Sequence, residues 1–418
     1  MAEQTQNLPH VVIVGAGFGG LRAARALAHA PVQVTLIDRN NYHLFQPLLY
    51  QVATSALSAD QIAYPVRAVF RRQPNLTFHM GSVTAIDLEK HQVTNEAGTI
   101  PYDYLVLAMG GVNNFFGNAS VAEHGMGLKD LDDAVRIRNH MLSRFEQAAK
   151  ESDPQRRRAL LTIVVVGGGP TGVECAGSIS ELIRMVLHRD FPALDLADVR
   201  ILLLEGADRL LLALPEELGR FTAQVLARKH IDVRFKSIVS DYDGQVVTLK
   251  DGSTIEAATL IWAAGVRASP LFDTLGLPQD RLGRVQVEPS LQVPGHPEVF
   301  VIGDAACLNG EDGKPLPMVA QVAMQQGRLA GRNIARRLIG EPLQAFHYKD
   351  LGTLATIGRN QAVARVAGLD FKGFLAWLVW VAVHIFWLIG FRNRVATLLD
   401  WAWNYLFYER AVRLIAPE

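Results

Sequence analysis

Short apolar runs alternate with glycine-rich turns along most of this chain. His10 to Val14 is such a run, Gly15 to Gly20 is the turn, and a helical stretch is expected from Leu21 to Ala30. Val32 to Ile37 is the next expected strand and ends on Asp38. Short apolar runs bounded by turns fit buried parallel strands, so this is a strand–helix–strand unit. The pattern returns at Thr162, with an apolar, β-rich run to Val166 and a turn from Gly167 to Gly172. A helix is expected there from about Val173 to Leu187, then a strand from Val199 to Leu204 that ends on Glu205. Three more strands lead into glycine turns: Tyr104 to Leu107 before Ala108 and Gly110, Thr259 to Trp262 before Ala264 and Gly265, and Val299 to Ile302 before Gly303 and Asp304. A long helix is expected from about Pro317 to Leu338, with Gly340 stopping it.

The end of the chain breaks this rhythm. Phe374 to Phe391 is 18 residues with no formal charge, preceded by Lys372 and followed by Arg392 and Arg394. Five of the six tryptophans fall here: Trp377, Trp380, Trp387, Trp401 and Trp403. The shift in composition marks a separate functional segment.

Composition narrows the classes. The 418 residues suffice for two or three domains, and 49% hydrophobic against 20% charged residues can bury large cores. Lys+Arg and Asp+Glu are both 41, a balance that argues against a general nucleic-acid binder. The two cysteines, Cys175 and Cys307, form no CxxC, which implies no disulfide framework and favours a reducing compartment. Met1 to Leu8 is polar and lacks a basic segment ahead of an apolar core, so no signal peptide is expected. No metal-ligating spacing stands out.

The glycine turns carry the first chemistry. Gly15-Ala16-Gly17-Phe18-Gly19-Gly20 matches the G-x-G-x-x-G pattern of dinucleotide sites. Gly15 allows the tight turn, Gly17 lets the backbone approach a pyrophosphate, and Gly20 lets helix and strand pack closely. The helix start then offers free N–H groups and partial positive charge to phosphates. Asp38, 23 residues after Gly15, can accept a hydrogen bond from a ribose hydroxyl. Gly167-Gly168-Gly169-Pro170-Thr171-Gly172 repeats the device, with Gly167, Gly169 and Gly172 in the same roles. Its acid is expected to be Glu205, 38 residues beyond Gly167 rather than the usual 20 or so, which implies an inserted stretch around Met185 to Asp198. A carboxylate there repels a 2′-phosphate and predicts NADH over NADPH. Glu174 lies just past Gly172, with two readings: a residue serving the helix dipole, or a carboxylate near a nicotinamide.

These motifs, together with His43-Leu44-Phe45-Gln46-Pro47-Leu48-Leu49-Tyr50-Gln51-Val52-Ala53-Thr54, Gly303-Asp304-Ala305-Ala306 and Ala320-Gln321-Val322-Ala323-Met324-Gln325-Gln326-Gly327, resemble the type II NADH:quinone oxidoreductases over nearly the whole length. The resemblance implies an α/β fold: two Rossmann-like dinucleotide-binding domains in a glutathione-reductase-like arrangement, plus a C-terminal membrane-anchoring helical segment. The FAD-binding domain would comprise residues 1–130 and 291–345, the NADH-binding domain 131–290 and the anchor 346–418. It implies non-proton-pumping transfer of electrons from NADH through FAD to a membrane quinone, menaquinone or ubiquinone. Gly15, Gly17, Gly19, Gly20, Asp38, Arg39, Gln46, Ala108, Gly110, Gly303, Asp304 and Gln321 would hold FAD, with Asp304 on the ribityl chain. Gly167, Gly169, Gly172, Glu174, Glu205, Ala264 and Gly265 would hold NADH. Glu174, Gln321 and Gln325 would be catalytic, the two glutamines lining the quinone site. Their i, i+4 spacing puts them on one helix face, and an uncharged amide can donate to or accept from a quinone oxygen. His43 reads as structural. Asp38 stands where a glutamate is more common in the family, a shorter acid with the same chemistry.

A lipid-soluble acceptor requires contact with a membrane. Trp377, Trp380, His384 and Trp387 recur at i, i+3, i+7 and i+10, a spacing that would align interface-seeking rings on one helical face, and Arg392 and Arg394 could meet anionic headgroups. The stretch from Val395 to Tyr408 continues the aromatic pattern. A monotopic anchor lying in the interface is favoured, with a true span as the runner-up and a buried dimer helix as the bland alternative. The expected setting is the cytoplasmic side of the inner membrane, the expected assembly a homodimer. Among rivals, a disulfide reductase needs a redox cysteine pair near the flavin, and none exists between residues 38 and 60. A sulfide:quinone oxidoreductase needs placed cysteines, whereas Cys175 and Cys307 read as small packed residues. A flavin-bearing redox sensor without quinone turnover is the rival from another class, opposed by the glutamine motif and the anchor.

Overall fold

The computed structural model describes residues 8–407, 409–410 and 412–415. The expected absence of a signal peptide in the first residues, and Tyr408 of the aromatic tail, fall on positions outside these. Along the chain run β1 (His10–Val14), α1 (Phe18–Ala26), β2 (Gln33–Asp38), α2 (Leu49–Ala53), β3 (Leu76–Met80), β4 (Tyr104–Leu107), β5 (Met126–Gly127) and α3 (Leu131–Ala148). Then come β6 (Thr162–Val166), α4 (Pro170–Leu182), β7 (Arg200–Leu204), α5 (Glu216–Arg228), β8 (Ile231–Arg234), β9 (Thr259–Trp262), β10 (Gln292–Val293) and β11 (His296–Val301). The chain closes with α6 (Ala320–Leu338), β12 (Thr353–Gly358), β13 (Gln361–Val366), β14 (Leu369–Gly373), α7 (Phe374–Trp387) and α8 (Phe391–Phe407).

Two compact units result. The first combines the residues up to His43 with Tyr64–Val112 and Val266–Asp350. Its main sheet has the order β10-β11-β4-β1-β2-β3, parallel except for β10. Val11, Val12 and Ile13 are wholly buried in β1, as a strand covered on both faces requires. Helices α1 and α6 cross closely because Gly327 and Gly331 lie against the carbonyls of Gly19 and Ala23, where a Cβ would collide.

The second unit combines Leu44–Ala63, Asn113–Gly265 and the segment from Leu351 onward. Its sheet is parallel, in the order β5-β9-β6-β7-β8. The order β4-β1-β2-β3 in the first unit and β9-β6-β7-β8 in the second is one arrangement used twice. In each, the strand ahead of the glycine turn lies between its sequence successor and a later strand, the place where open α/β sheets bind ligands. Within this second unit β12, β13 and β14 form an antiparallel meander. It sits directly on α4, because Gly177 leaves room only for the Ile357 carbonyl.

Several boundaries differ from expectation. The helix after the second turn begins at Pro170, which is favoured at a first helical position, and its α-helical part stops at Leu182. Ile183–Leu187 continues as a π-helix. The uncharged run 374–391 is not one helix. Leu388 turns extended and Gly390 adopts φ 93°, a left-handed conformation open to glycine, so α7 ends at Trp387 and α8 begins at Phe391. Among the described residues no helix is long and apolar enough to cross a membrane.

Candidate functional site

In the first unit Gly15 takes φ 104° and lies against the Ala108 carbonyl, while a Cβ on Gly20 would fall on the Gly15 carbonyl oxygen. Gly17 has nothing within 4 Å of where a Cβ would be, and it caps α1 without a side-chain hydrogen bond. The turn therefore presents open space and unspent N–H groups at a helix start, which fits a pyrophosphate. Asp38 braces it, accepting from the Ala16 N–H at 2.5 Å and the Asn40 N–H at 2.8 Å. Burial pushes its carboxyl up, while those two bonds and Arg39 pull it down. Arg39 is exposed. Gly110 has a positive φ of 66° with open space around it, and Gly303 has 72°. Asp304 follows in a short 3-10 turn, Gly303–Ala305. His43 is buried, donates from Nδ1–H to the Ala16 carbonyl at 3.0 Å, and meets Phe18 edge-on. Burial pushes its imidazole down to about 4, so it stays neutral and structural.

The second unit repeats the cradle. Gly167 takes φ 111° against the Ala263 carbonyl, Gly172 sits on the Gly167 carbonyl, and Gly169 caps α4 with open space beside it. Glu205 occupies the position of Asp38: Oε2 accepts from the Gly168 N–H at 2.5 Å and Oε1 from the Ala207 N–H at 2.6 Å. Ala264 and Gly265 follow β9, and the Gly265 carbonyl accepts from the Asn114 N–H at 3.1 Å. Gln46 belongs to this unit, where its amide donates to the Lys129 carbonyl at 2.8 Å.

Glu174 is the fifth residue of α4, beyond the first turn, which removes the premise of the helix-dipole reading. It is 8% exposed, and its Oε1 accepts from the Thr356 N–H at 3.2 Å and the Trp380 indole at 3.3 Å. Burial pushes its carboxyl up to about 8 against the pull of those two bonds. At neutral pH it therefore holds its proton. Ser178 and Glu181 continue the same face of α4 at i+4 and i+7. Ser178 pairs with Thr54 at 2.7 Å, and Glu181 binds Lys229 at 2.7 Å and the Arg359 N–H at 2.6 Å. Arg410 closes this polar face, donating to the Thr54 carbonyl at 2.7 Å and the Ser178 carbonyl at 3.1 Å. Ser178, Glu181 and Arg410 were not singled out from the sequence, and Trp380 was read there as an interface ring, because their roles depend on partners far along the chain. Cys175 is fully buried and its thiol is pushed up to about 12 by burial, which suits a packed residue.

Helix α6 carries three glutamines. Gln325 is paired twice with the Lys349 main chain, donating to its carbonyl at 2.8 Å and accepting its N–H at 3.1 Å. Gln321 approaches Asp350 at 3.5 Å. Both remain partly accessible on the face their spacing predicted. Gln326, which the motif contained without an assigned role, is buried and accepts from the Gly303 N–H at 2.7 Å. That bond fixes the turn bearing Asp304.

The aromatic stripe of α7 departs from expectation in its middle. Ala376 and Trp380 are buried, and His384 stacks on Trp380 with centroids 4.1 Å apart. The expected interface stripe therefore faces protein at these two residues. Outward lie Phe374, Leu375, Leu378 and Phe386, 44–67% exposed. Helix α8 is inverted relative to an ordinary surface helix. Its inner face is polar: Asn393 donates to the Gln61 carbonyl at 3.0 Å, Trp401 to Gln51 at 2.8 Å, and Asn404 to the Ala56 carbonyl at 3.2 Å. Its outer face carries Phe391 at 83%, Leu399 at 65% and Leu406 at 67% exposure. So large an unpaired apolar surface is characteristic of an interaction site.

Family comparison agrees with this anatomy. The model described as pyridine nucleotide-disulphide oxidoreductase matches residues 9–327, and that described as NDH2 C-terminal domain matches residues 351–409. The chain is 42% identical to the type II NADH:quinone oxidoreductase Ndh of Mycobacterium tuberculosis, covering 98% of this chain and 90% of that one. It is 30% identical to the type II NADH:quinone oxidoreductase of Staphylococcus aureus over 88% of this chain and 92% of that one. A solved structure of NDH2 from Plasmodium falciparum, in complex with NADH, superposes with a TM-score of 0.89 at 21% identity, covering 98% of this chain and all of that one.

Proposed function

The chain belongs to the type II NADH:quinone oxidoreductases, and from that premise we propose which of its residues serve each half of the reaction. The protein is an FAD-dependent enzyme that passes electrons from NADH to a quinone. FAD, when bound, supplies the hydride-accepting and quinone-reducing chemistry. The observation that carries the assignment is the duplicated cradle: two glycine turns of one geometry, each braced by one acid and each opening on a helix start.

The first turn, with Gly15, Gly17, Gly19, Gly20, Ala108 and Gly110, would bind the FAD pyrophosphate, and Asp38 the ribose of its adenosine half. Asp304, held by the Gln326–Gly303 bond, would take the ribityl chain. Arg39 and Gln46 would complete this set. The second turn, with Gly167, Gly169 and Gly172, would bind NADH, with Ala264 and Gly265 beside it. Glu205 would accept the ribose hydroxyls and repel a 2′-phosphate. Glu174 serves the nicotinamide side as a buried carboxyl that keeps its proton at neutral pH and can donate a hydrogen bond. Gln321 and Gln325 serve the quinone, their amides able to meet its oxygens in either redox state.

The exposed apolar faces of α7 and α8 support peripheral attachment to a membrane, in the interface rather than across it. The proposed setting is the cytoplasmic side of the inner membrane, where menaquinone or ubiquinone is the acceptor. The family resemblance alone supports a homodimer, which sedimentation in detergent would check. Anaerobic stopped-flow tests the division of labour. Gln321→Ala and Gln325→Ala should slow flavin reoxidation by quinone by about tenfold or more, the worth of one well-placed hydrogen bond, while leaving flavin reduction by NADH near wild type. Equal losses in both half-reactions would sink the assignment.

A further inference from the structure

The inserted stretch between α4 and β7 has no part in the reaction described above. It begins in the π-helix Ile183–Leu187, a form rare in proteins and frequent at functional sites, and ends in the 3-10 turn Leu196–Asp198. It forms one wall of a cavity of about 410 Å³, completed by the first residues of β7 and β8. This lies at the opposite end of the second parallel sheet from Glu205, which follows the last residue of β7.

The lining is basic. Arg184, Arg200 and His230 all reach it, above the apolar side chains of Val199 and Ile201. Asp232 is the one carboxylate in the lining, and it is already held by Arg234 at 2.9 Å. Among the described residues, the side chains of Arg184, Arg200 and His230 have no carboxylate partner. Two guanidinium groups offer paired, planar donors matched to phosphate oxygens, and the imidazole adds a third contact. A phosphomonoester carries nearly two negative charges at neutral pH, which suits two unpaired arginines better than a single carboxylate does. The volume falls at the small end of the range for small-molecule sites.

We propose that this cavity is a second ligand site, distinct from both glycine turns, that takes a compact phosphomonoester held by Arg184 and Arg200 with His230 as the third donor. The site does not depend on the assignment of the redox reaction. It joins the end of α4 to the starts of β7 and β8, elements whose other ends carry Gly172 and Glu205.

The test uses full-length holoenzyme with NAD+ at saturation, so that the second glycine turn is filled. Glucose 6-phosphate and inorganic phosphate are titrated calorimetrically at ionic strength matched with chloride. Saturable binding of one equivalent is expected, tighter for glucose 6-phosphate than for inorganic phosphate. Arg184→Gln and Arg200→Gln should each weaken it by about tenfold, the loss of one charge-assisted contact. Asp232→Asn, which removes the only carboxylate, should tighten it. Arg200 is exposed, so its variant keeps the test valid if Arg184→Gln does not fold. Absence of saturable binding at millimolar probe, binding unchanged in the arginine variants, or tighter binding of inorganic phosphate would each overturn the proposal.

Discussion

Replacing Glu174 by Gln should stabilise the protein increasingly as pH rises. Burial lifts this carboxyl from 4.5 to about 8, so between those values the folded protein holds a proton that the unfolded chain has lost. Stability then falls as pH rises, by about 1.4 kcal/mol per unit, until the folded-state value is passed. The whole span corresponds to roughly 5 kcal/mol, an upper bound because water entry and relaxation would soften it. Glutamine has nearly the same shape, keeps an oxygen for the Thr356 N–H and the Trp380 indole, and cannot ionise. The stability difference between variant and wild type should therefore be small at pH 5 and grow by about 2–3 kcal/mol from pH 5.5 to pH 7.5. Urea unfolding of both proteins across this window, with FAD and detergent held constant, reads the difference directly. Parallel profiles would show that Glu174 is ionised in the fold or is not buried as described, and would remove the proton from its proposed role.

Glu205→Arg should shift the ratio of kcat/KM toward NADPH by about tenfold or more, the worth of one charge-assisted hydrogen bond gained and a repulsion removed; steady-state kinetics with an unchanged ratio would reject the ribose assignment. Gly177→Ala gains about 1 kcal/mol of helix propensity and incurs about 1–3 kcal/mol of overpacking. Overpacking should win because the new methyl meets the Ile357 carbonyl, a main-chain atom of β12, so a Tm at or above wild type would contradict the packing described. Phe391→Glu and Leu399→Glu, at 83% and 65% exposed positions, should leave the fold intact and weaken vesicle binding by about tenfold or more each; co-flotation equal to wild type would place the docking surface elsewhere.

Both glycine turns were legible because backbone geometry alone dictates them. Gly15 and Gly167 need a positive φ, and Gly20 and Gly172 need the absence of a Cβ; those demands leave the same residues at the same spacing twice. The acids at the ends of β2 and β7 were legible for a related reason, since each braces the turn it follows. The burial of Glu174 was not. It is created by Thr356 and Trp380, roughly two hundred residues away, and nothing local announces them. Gln326 and Gly177 were missed for the same cause, each being defined by one distant main-chain group. The orientation of α7 was misread because the helix is apolar all round, so periodicity could not say which rings point inward. Helix α8 did carry the signal, in Asn393, Thr397, Trp401 and Asn404 against Phe391, Val395, Leu398 and Leu399. Reading it correctly required reversing the usual rule about which face is buried.

That reversal sets the pattern of mutational tolerance at the chain's end. In most surface helices, selection forbids polar residues on the inner side and tolerates almost anything on the outer side. In α8 the inner side is an array of specific hydrogen-bond donors, so an apolar replacement at Asn393 strands the carbonyls of Asp60, Gln61 and Ala63. Its outer side accepts one apolar residue for another freely and rejects charge. A saturation library over residues 391–407 would show two interleaved constraints of opposite sign, and a predictor trained on water-soluble helices would misjudge both.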